Sequence, residues 1–200
     1  MKSFLYLASQ SPRRSQLLDQ IGVPHKLLLP APDEDTESLE LALQGESPLH
    51  YVQRVTALKL DAAMLRMQTR KMPVAPVLCS DTTVALGREI LGKPADAQDA
   101  LRMLQALSGQ THRVLTAVAV QSGRKRLSTV SLSRVTFAAM SRAQIKAYVD
   151  SGEPMGKAGA YGVQGLAAAH ISGIHGSYSG IMGLPVHETA VLLRQVGMRC

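Results

Sequence analysis

Two arginines stand where a strand hands over to a helix. The stretch LASQSPRRSQLL, residues 7–18, follows an apolar strand expected over residues 4–8 and opens a helix expected over 12–21. Ser11 is placed to cap that helix, and Pro12 suits its first turn. Arginine opposes the helix macrodipole at this end, so Arg13 and Arg14 are either a solvated first turn or half of an anion site. Free backbone N–H groups at a helix start would also suit a phosphate, and the stretch alone leaves the two readings even.

Asp81 is the next group with chemical capacity. In VLCSDTTVAL it lies between Ser80 and Thr82, at the end of an apolar strand expected over 76–80. Ligands gather at the carboxyl ends of strands in open α/β sheets, and a carboxylate there binds a metal or activates water. The competing reading is a turn-forming aspartate, which the strand-like residues that follow disfavour. Lys59 falls in line with Val52, Val55 and Ala63 on a face that otherwise reads as core. Such a lysine either snorkels or meets an anion. With Arg13, Arg14, Lys93 and Lys157, converging cations are the better account. That set suits a polyphosphate, with Glu34 and Asp81 to hold an accompanying divalent cation.

Several tempting matches fail on their residues. GREILGKP has P-loop spacing but puts Pro94 where the magnesium-binding hydroxyl belongs. GSYSG centres on Tyr178 instead of a nucleophilic serine. GAYGVQG has glycines every third residue and follows a helix, so it is no dinucleotide fingerprint. It still lets backbone approach a flat ligand, with Lys157, Tyr161 and Gln164 nearby. A bend before a strand explains the same glycines. The six histidines have no metal-ligand spacing.

The elements that must position these groups alternate in the first half: strand 26–30, helix 48–70, and a hairpin turning at Gly87 and Arg88. A helix over 96–108 follows, then long strands over 112–121 and 126–138. Ser141 and Gln144 form a capping box for a helix ending near Asp150. LAAAHISGI reads as a strand, and a short strand then leads to a last helix over Glu188–Val196. Alternation first and hairpins later indicate an α/β fold with a mixed sheet. The 200 residues, 46% hydrophobic, suit a single domain, 1–200. No run spans a membrane and no signal-peptide core is present, so the expectation is a cytoplasmic protein without a membrane partner. Cys79 and Cys200 offer neither a disulfide scaffold nor a metal cluster. The net charge of +7 calls for an anionic partner. Aromatics are only 4%, so a nucleic-acid stacking platform is disfavoured. The acidic segment PAPDEDTESLE is the strongest compositional shift in this basic chain.

Taken together, LASQSPRR, the acidic pair Asp33–Glu34, Lys59, SDTTV, GKP, LSGQTHRVLTAV and GKAGAYGVQG with GSYSGIMGLP resemble the Maf family of nucleoside triphosphate pyrophosphatases. The match runs in order along essentially the whole chain. The resemblance implies an elongated α/β fold related to the inosine triphosphate pyrophosphatases, with two lobes and a central cleft. It also implies a homodimer, a nucleoside triphosphate substrate, and Mg2+ or Mn2+ as cofactor. The products are the monophosphate and pyrophosphate. Under it Asp81 is catalytic, Arg13, Arg14, Lys59 and Lys93 bind the phosphates, and Glu34 joins Asp81 at the metal; Ser9 and Lys157 are further substrate-binding candidates. Arg13, Thr82 and Gln164 match the specificity positions of the branch acting on dTTP and UTP. The same chemistry on 7-methylated GTP or a broad nucleotide set is the near alternative. A basic nucleic-acid-binding protein or a septum-formation regulator is the alternative of another class.

Overall fold

The computed structural model describes residues 4–36 and 38–199. Strand β1 (Leu5–Leu7) is buried on both faces, as a central parallel strand must be. It pairs in parallel with β2 (His25–Leu27) on one side and with β3 (Val77–Leu86) on the other. The mixed seven-stranded sheet runs β2-β1-β3-β5-β6-β7, with β4 (Glu89–Leu91) folding back on β3. Strands β5 (Thr111–Ser122) and β6 (Lys125–Phe137) form a long antiparallel hairpin, and β7 (Ile171–His175) closes the edge. The α/β class with a mixed sheet is therefore borne out.

Helices cover the sheet where their apolar faces require it. Helix α1 (Pro12–Gln20) and α6 (Val186–Gln195) join one core cluster with Leu5, Leu7, Leu78 and Val118. Helix α2 (Pro48–Thr69) buries Leu60, Ala63 and Met67 against Tyr6, Val77 and Cys79. A further cluster joins α3 (Ala97–Leu107), α4 (Arg142–Asp150) and the far ends of β3, β5 and β6. The Ser141–Gln144 capping box forms as expected: Gln144 N–H donates to Ser141 Oγ at 3.3 Å, and Ser141 N–H to Gln144 Oε1 at 2.8 Å.

The structure corrects five local expectations. Asp81 does not end a strand: β3 runs through it unbroken, with Asp81 opposite Ala117. The parallel neighbour β1 stops first, however, so Asp81 lies just beyond the carboxyl end of β1. Leu166–His170 is a 3-10 turn, and only Ile171–His175 is strand. In place of the short strand expected before the last helix there is a short helix, α5 (Tyr178–Met182), capped by Ser177 Oγ, which accepts from Gly180 N–H at 3.0 Å. The last helix starts at Val186, earlier than Glu188. Finally, Ser11 occupies the cap position of α1 without a side-chain cap bond. Cys79 is a free buried thiol, and Cys200 lies outside the described residues. Among the described residues, no helix is long and apolar enough to cross a membrane.

Candidate active site

The turn from β1 into α1 is held by Ser9, which is nearly buried. Its hydroxyl oxygen accepts from Ser11 N–H at 3.1 Å and from Arg14 Nη1 at 3.0 Å. Both arginines are steered from behind by carbonyls at the end of α5. Arg13 Nε donates to the Met182 carbonyl at 3.2 Å, and Arg14 Nε donates to the Gly183 carbonyl at 2.8 Å. Ser80 Oγ donates to the same Gly183 carbonyl at 3.0 Å and to that of Ala117 at 2.8 Å. Burial pulls the Arg14 pKa down, against the raising influence of Asp81. Two guanidiniums fixed through Nε keep terminal nitrogens for a ligand, and that is the geometry an anion site needs.

Lys59 does not snorkel. Its Nζ donates to Asp81 Oδ1 at 2.6 Å and to Glu40 Oε1 at 2.7 Å. Lys93 Nζ donates to the other oxygen of Glu40 at 2.8 Å. Desolvation raises the Glu40 pKa, but the two lysines outweigh it and hold the carboxyl below its usual range. Glu40 belongs to a 3-10 turn, Ser38–Glu40, inside the acidic segment. Glu34, the metal-site carboxylate expected from that segment, is instead paired with Arg66. Both its oxygens bind the Arg66 guanidinium, at 2.9 Å from Nε and in a second, shorter contact from Nη2. That bond holds the Glu34 pKa down. The carboxylate sharing an ammonium with Asp81 is Glu40, which the sequence reading missed. The acidic composition was its only signal.

A second part of the site is the segment 156–165. Gly159 has φ +67°, and a Cβ built there would sit 2.8 Å from Val84 Cγ1, so only glycine packs on β3 at that point. Ala160 follows with φ 60°, an uncommon conformation for a residue with a side chain. Tyr161 Oη and His112 Nε2 lie 2.7 Å apart. Phe137 meets Tyr161 edge-on, with centroids 5.1 Å apart, and stacks near His112 at 5.7 Å. His112 is buried, and its Nδ1 has no hydrogen-bond partner among the described residues. Burial pushes the His112 pKa down to about 4. The Lys157 ammonium donates to the Glu153 carbonyl, and burial, then Arg13, lowers its pKa. The chain at Gly162 runs against the Lys157 stem and near the Gln164 amide.

Charged end and packed wall enclose one cavity of about 390 Å3. That volume suits a small-molecule ligand. Ser9, Arg13, Arg14, Lys59, Thr82, Lys93, Lys157 and Gln164 all line it. Asp81 is not itself on that lining; it adjoins it between Ser80 and Thr82 and through the Lys59 ammonium. Glu34 stands behind Arg66, which lines the cavity. Thr82 Oγ1 lies 3.1 Å from Thr116 Oγ1, and Thr116 donates on to the Gly180 carbonyl at 2.7 Å. The cations singled out in the sequence therefore converge on one space with one embedded pair of carboxylates. Such a space can bind a polyanion and hold a water against an acidic side chain.

The family model described as Maf-like protein matches residues 4–196. The dTTP/UTP pyrophosphatase of a Polaromonas species is 68% identical over 196 residues, covering 98% of this chain and 97% of the relative. The dTTP/UTP pyrophosphatase of Albidiferax ferrireducens is 65% identical over the full length of both chains. That of Cupriavidus pinatubonensis is 61% identical, again over both full lengths. Among solved structures, the Staphylococcus aureus Ham1 protein aligns with a TM-score of 0.45 at 13% identity, over 67% of this chain and 71% of that one. A family match across nearly the whole chain, with relatives this similar, means that the chain belongs to the Maf family.

Proposed function

We propose that this protein hydrolyses the pyrimidine nucleoside triphosphates dTTP and UTP to the monophosphate and pyrophosphate. The observation that carries the reading is the Asp81 carboxylate, 2.6 Å from Lys59, set among cations that all face one cavity. The Lys59 contact orients Asp81. Asp81 accepts the proton of an attacking water as the new phosphorus–oxygen bond forms. The bond between the α and β phosphates breaks, and pyrophosphate leaves. Arg13, Arg14, Lys59 and Lys93 face the charge that collects on the phosphate oxygens, usually the largest catalytic contribution.

Asp81 presents hard carboxylate oxygens beside the Lys59 ammonium, and Glu40 would add a second pair once off the two lysines. That donor type suits Mg2+ or Mn2+, which bind through one or two carboxylates plus substrate phosphates. When bound, such an ion supplies further charge neutralisation on the phosphates. Glu34 joins that set only by leaving Arg66.

Gln164 offers an amide that both donates and accepts, matching the carbonyl and N3–H edge of uracil or thymine. It lines the same cavity as the phosphate cations, so one ligand can meet both. Those cations are turned into the cavity and are not spread over an open face, which favours a small polyanion over nucleic acid. The family resemblance adds a cytoplasmic homodimer to this reading, which light scattering of the purified protein checks. The functional test is a hydrolysis panel of UTP, dTTP, CTP, GTP, ATP and 7-methyl-GTP, with Mg2+ and with Mn2+. The expected order places UTP and dTTP first by kcat/KM. A preference for 7-methyl-GTP, or no turnover on any of them, contradicts it.

A further inference from the structure

The segment that carries Glu40 is tied to α2 at several points. Tyr51 Oη donates to the Glu40 carbonyl at 2.8 Å. Arg54 Nη2 donates to the Leu41 carbonyl at 2.9 Å, and the same guanidinium holds both oxygens of Glu46 at 2.7 Å. One turn further on, Lys59 takes the Glu40 side chain itself. The carboxylate is thus delivered to its position by an anchored stretch of backbone.

That position is the space between two lysines. Oε1 meets Lys59 and Oε2 meets Lys93, so both oxygens are engaged and both ammoniums are matched. A carboxylate and a phosphate each present a pair of closely spaced anionic oxygens to such cations. Resting on the reading of this cavity as a nucleotide site, we infer that Glu40 is an internal stand-in for a substrate phosphate. Its carboxylate occupies the seat between Lys59 and Lys93, and a nucleotide polyphosphate enters by exchange for it. The two bridges differ in shielding. The Lys59 side chain is 19% exposed and that of Lys93 is 56% exposed. Exposed pairs are held weakly, so the exchange starts at Lys93. Lys59 keeps Asp81 as a partner throughout, and the catalytic carboxylate stays oriented while Glu40 swings off.

The exchange makes a prediction opposite to that for an ordinary binding residue: removing the Glu40 charge tightens binding. The probe is inorganic pyrophosphate, titrated calorimetrically into the purified protein with EDTA present. Glu40→Gln is expected to bind pyrophosphate on the order of tenfold more tightly than the wild type. In a Lys93→Met background the same change is expected to gain no more than about twofold, because one of the two released cations is gone. Unchanged or weaker binding by Glu40→Gln overturns the inference. So does a gain of the same size without Lys93, or the absence of pyrophosphate binding in every variant. Should Glu40→Gln fail to fold, Glu40→Asp serves, since its shorter carboxylate cannot span both lysines. A smaller gain is expected there, and no gain again overturns the idea. UTP turnover is scored separately. A protein inactive on UTP whose Glu40→Gln variant gains pyrophosphate affinity refutes the proposed function and leaves the exchange standing. An active protein with no such gain does the reverse.

Discussion

The two walls of the cavity are built on opposite principles. The wall carrying Arg13, Arg14, Lys59 and Lys93 is held by charge-assisted bonds: to carbonyls behind the arginines, and at the lysines to the Glu40 carboxylate, which a ligand can replace. The wall at 156–165 is held by packing: Gly159 on Val84, and Tyr161 against His112 and Phe137. Ion pairs at a partly wet surface exchange partners at small net cost. Close-packed aromatic and glycine contacts do not. The charged wall is suited to take up and release phosphates, and the packed wall to present a fixed edge to a base. Changes on the first should therefore act on kinetics, and changes on the second on stability.

The largest effect should come from the charged wall. Asp81→Asn keeps the shape and removes the basicity, so turnover on UTP should fall about 10²–10⁴-fold. The melting temperature should stay near that of the wild type. A large loss of stability instead would erase the distinction between the walls.

On the packed wall, Gly159→Ala forces a Cβ to 2.8 Å from Val84 Cγ1 in a left-handed backbone conformation. Strain and overpacking together should cost roughly 3–4 kcal/mol, read from urea unfolding. Val84→Ala should restore part of that loss. If Gly159→Ala is as stable as the wild type but slow, the wall is not set by packing.

His112 sharpens the same point through pH. In the folded chain burial pushes its pKa down to about 4, against 6.5 ordinarily. Above pH 6.5 both states are neutral and the group is silent. As pH falls from 6.5 towards 4, the unfolded chain takes up a proton that the folded chain refuses, and stability is lost. The difference should reach about 3 kcal/mol by pH 4. Urea midpoints at pH 7.5 and 4.5 for wild type and His112→Gln measure it, since only the wild type carries this part of the acid sensitivity. Equal slopes would mean that the imidazole is not held neutral by burial.

The smallest effect concerns the base. Gln164→Glu should lower kcat/KM for UTP more than for GTP, shifting the ratio by about tenfold. The new carboxylate, when ionised, cannot donate to the base, and it adds negative charge near a polyanion. An equal fall for both substrates would make Gln164 a support of the wall and not a reader of the base.

Much of this site was legible before any coordinates. Arg13 and Arg14 announce themselves because a basic first turn contradicts the helix dipole, and Lys59 because it interrupts an apolar face. The Ser141–Gln144 box is a local device and forms locally. What stayed hidden depends on contacts distant in the chain. Polar residues at 80–83 look like a strand end, yet β3 continues because Ser80 and Thr82 find partners at Ala117, Gly183 and Thr116. The acidic segment offers several carboxylates within a few residues. Only lysines 19 and 53 positions further on select Glu40 for the site, while Arg66, 32 positions on, takes Glu34. His112 reads as one more histidine until Tyr161, 49 residues later, closes on it.

The most direct test of the central claim is the identity of the products. The purified protein is incubated with UTP and Mg2+ and followed by phosphorus NMR, with Asp81→Asn in parallel. The wild type should give UMP and pyrophosphate in equal amounts, and the variant almost none. UDP with orthophosphate, or equal turnover by Asp81→Asn, would contradict the claim.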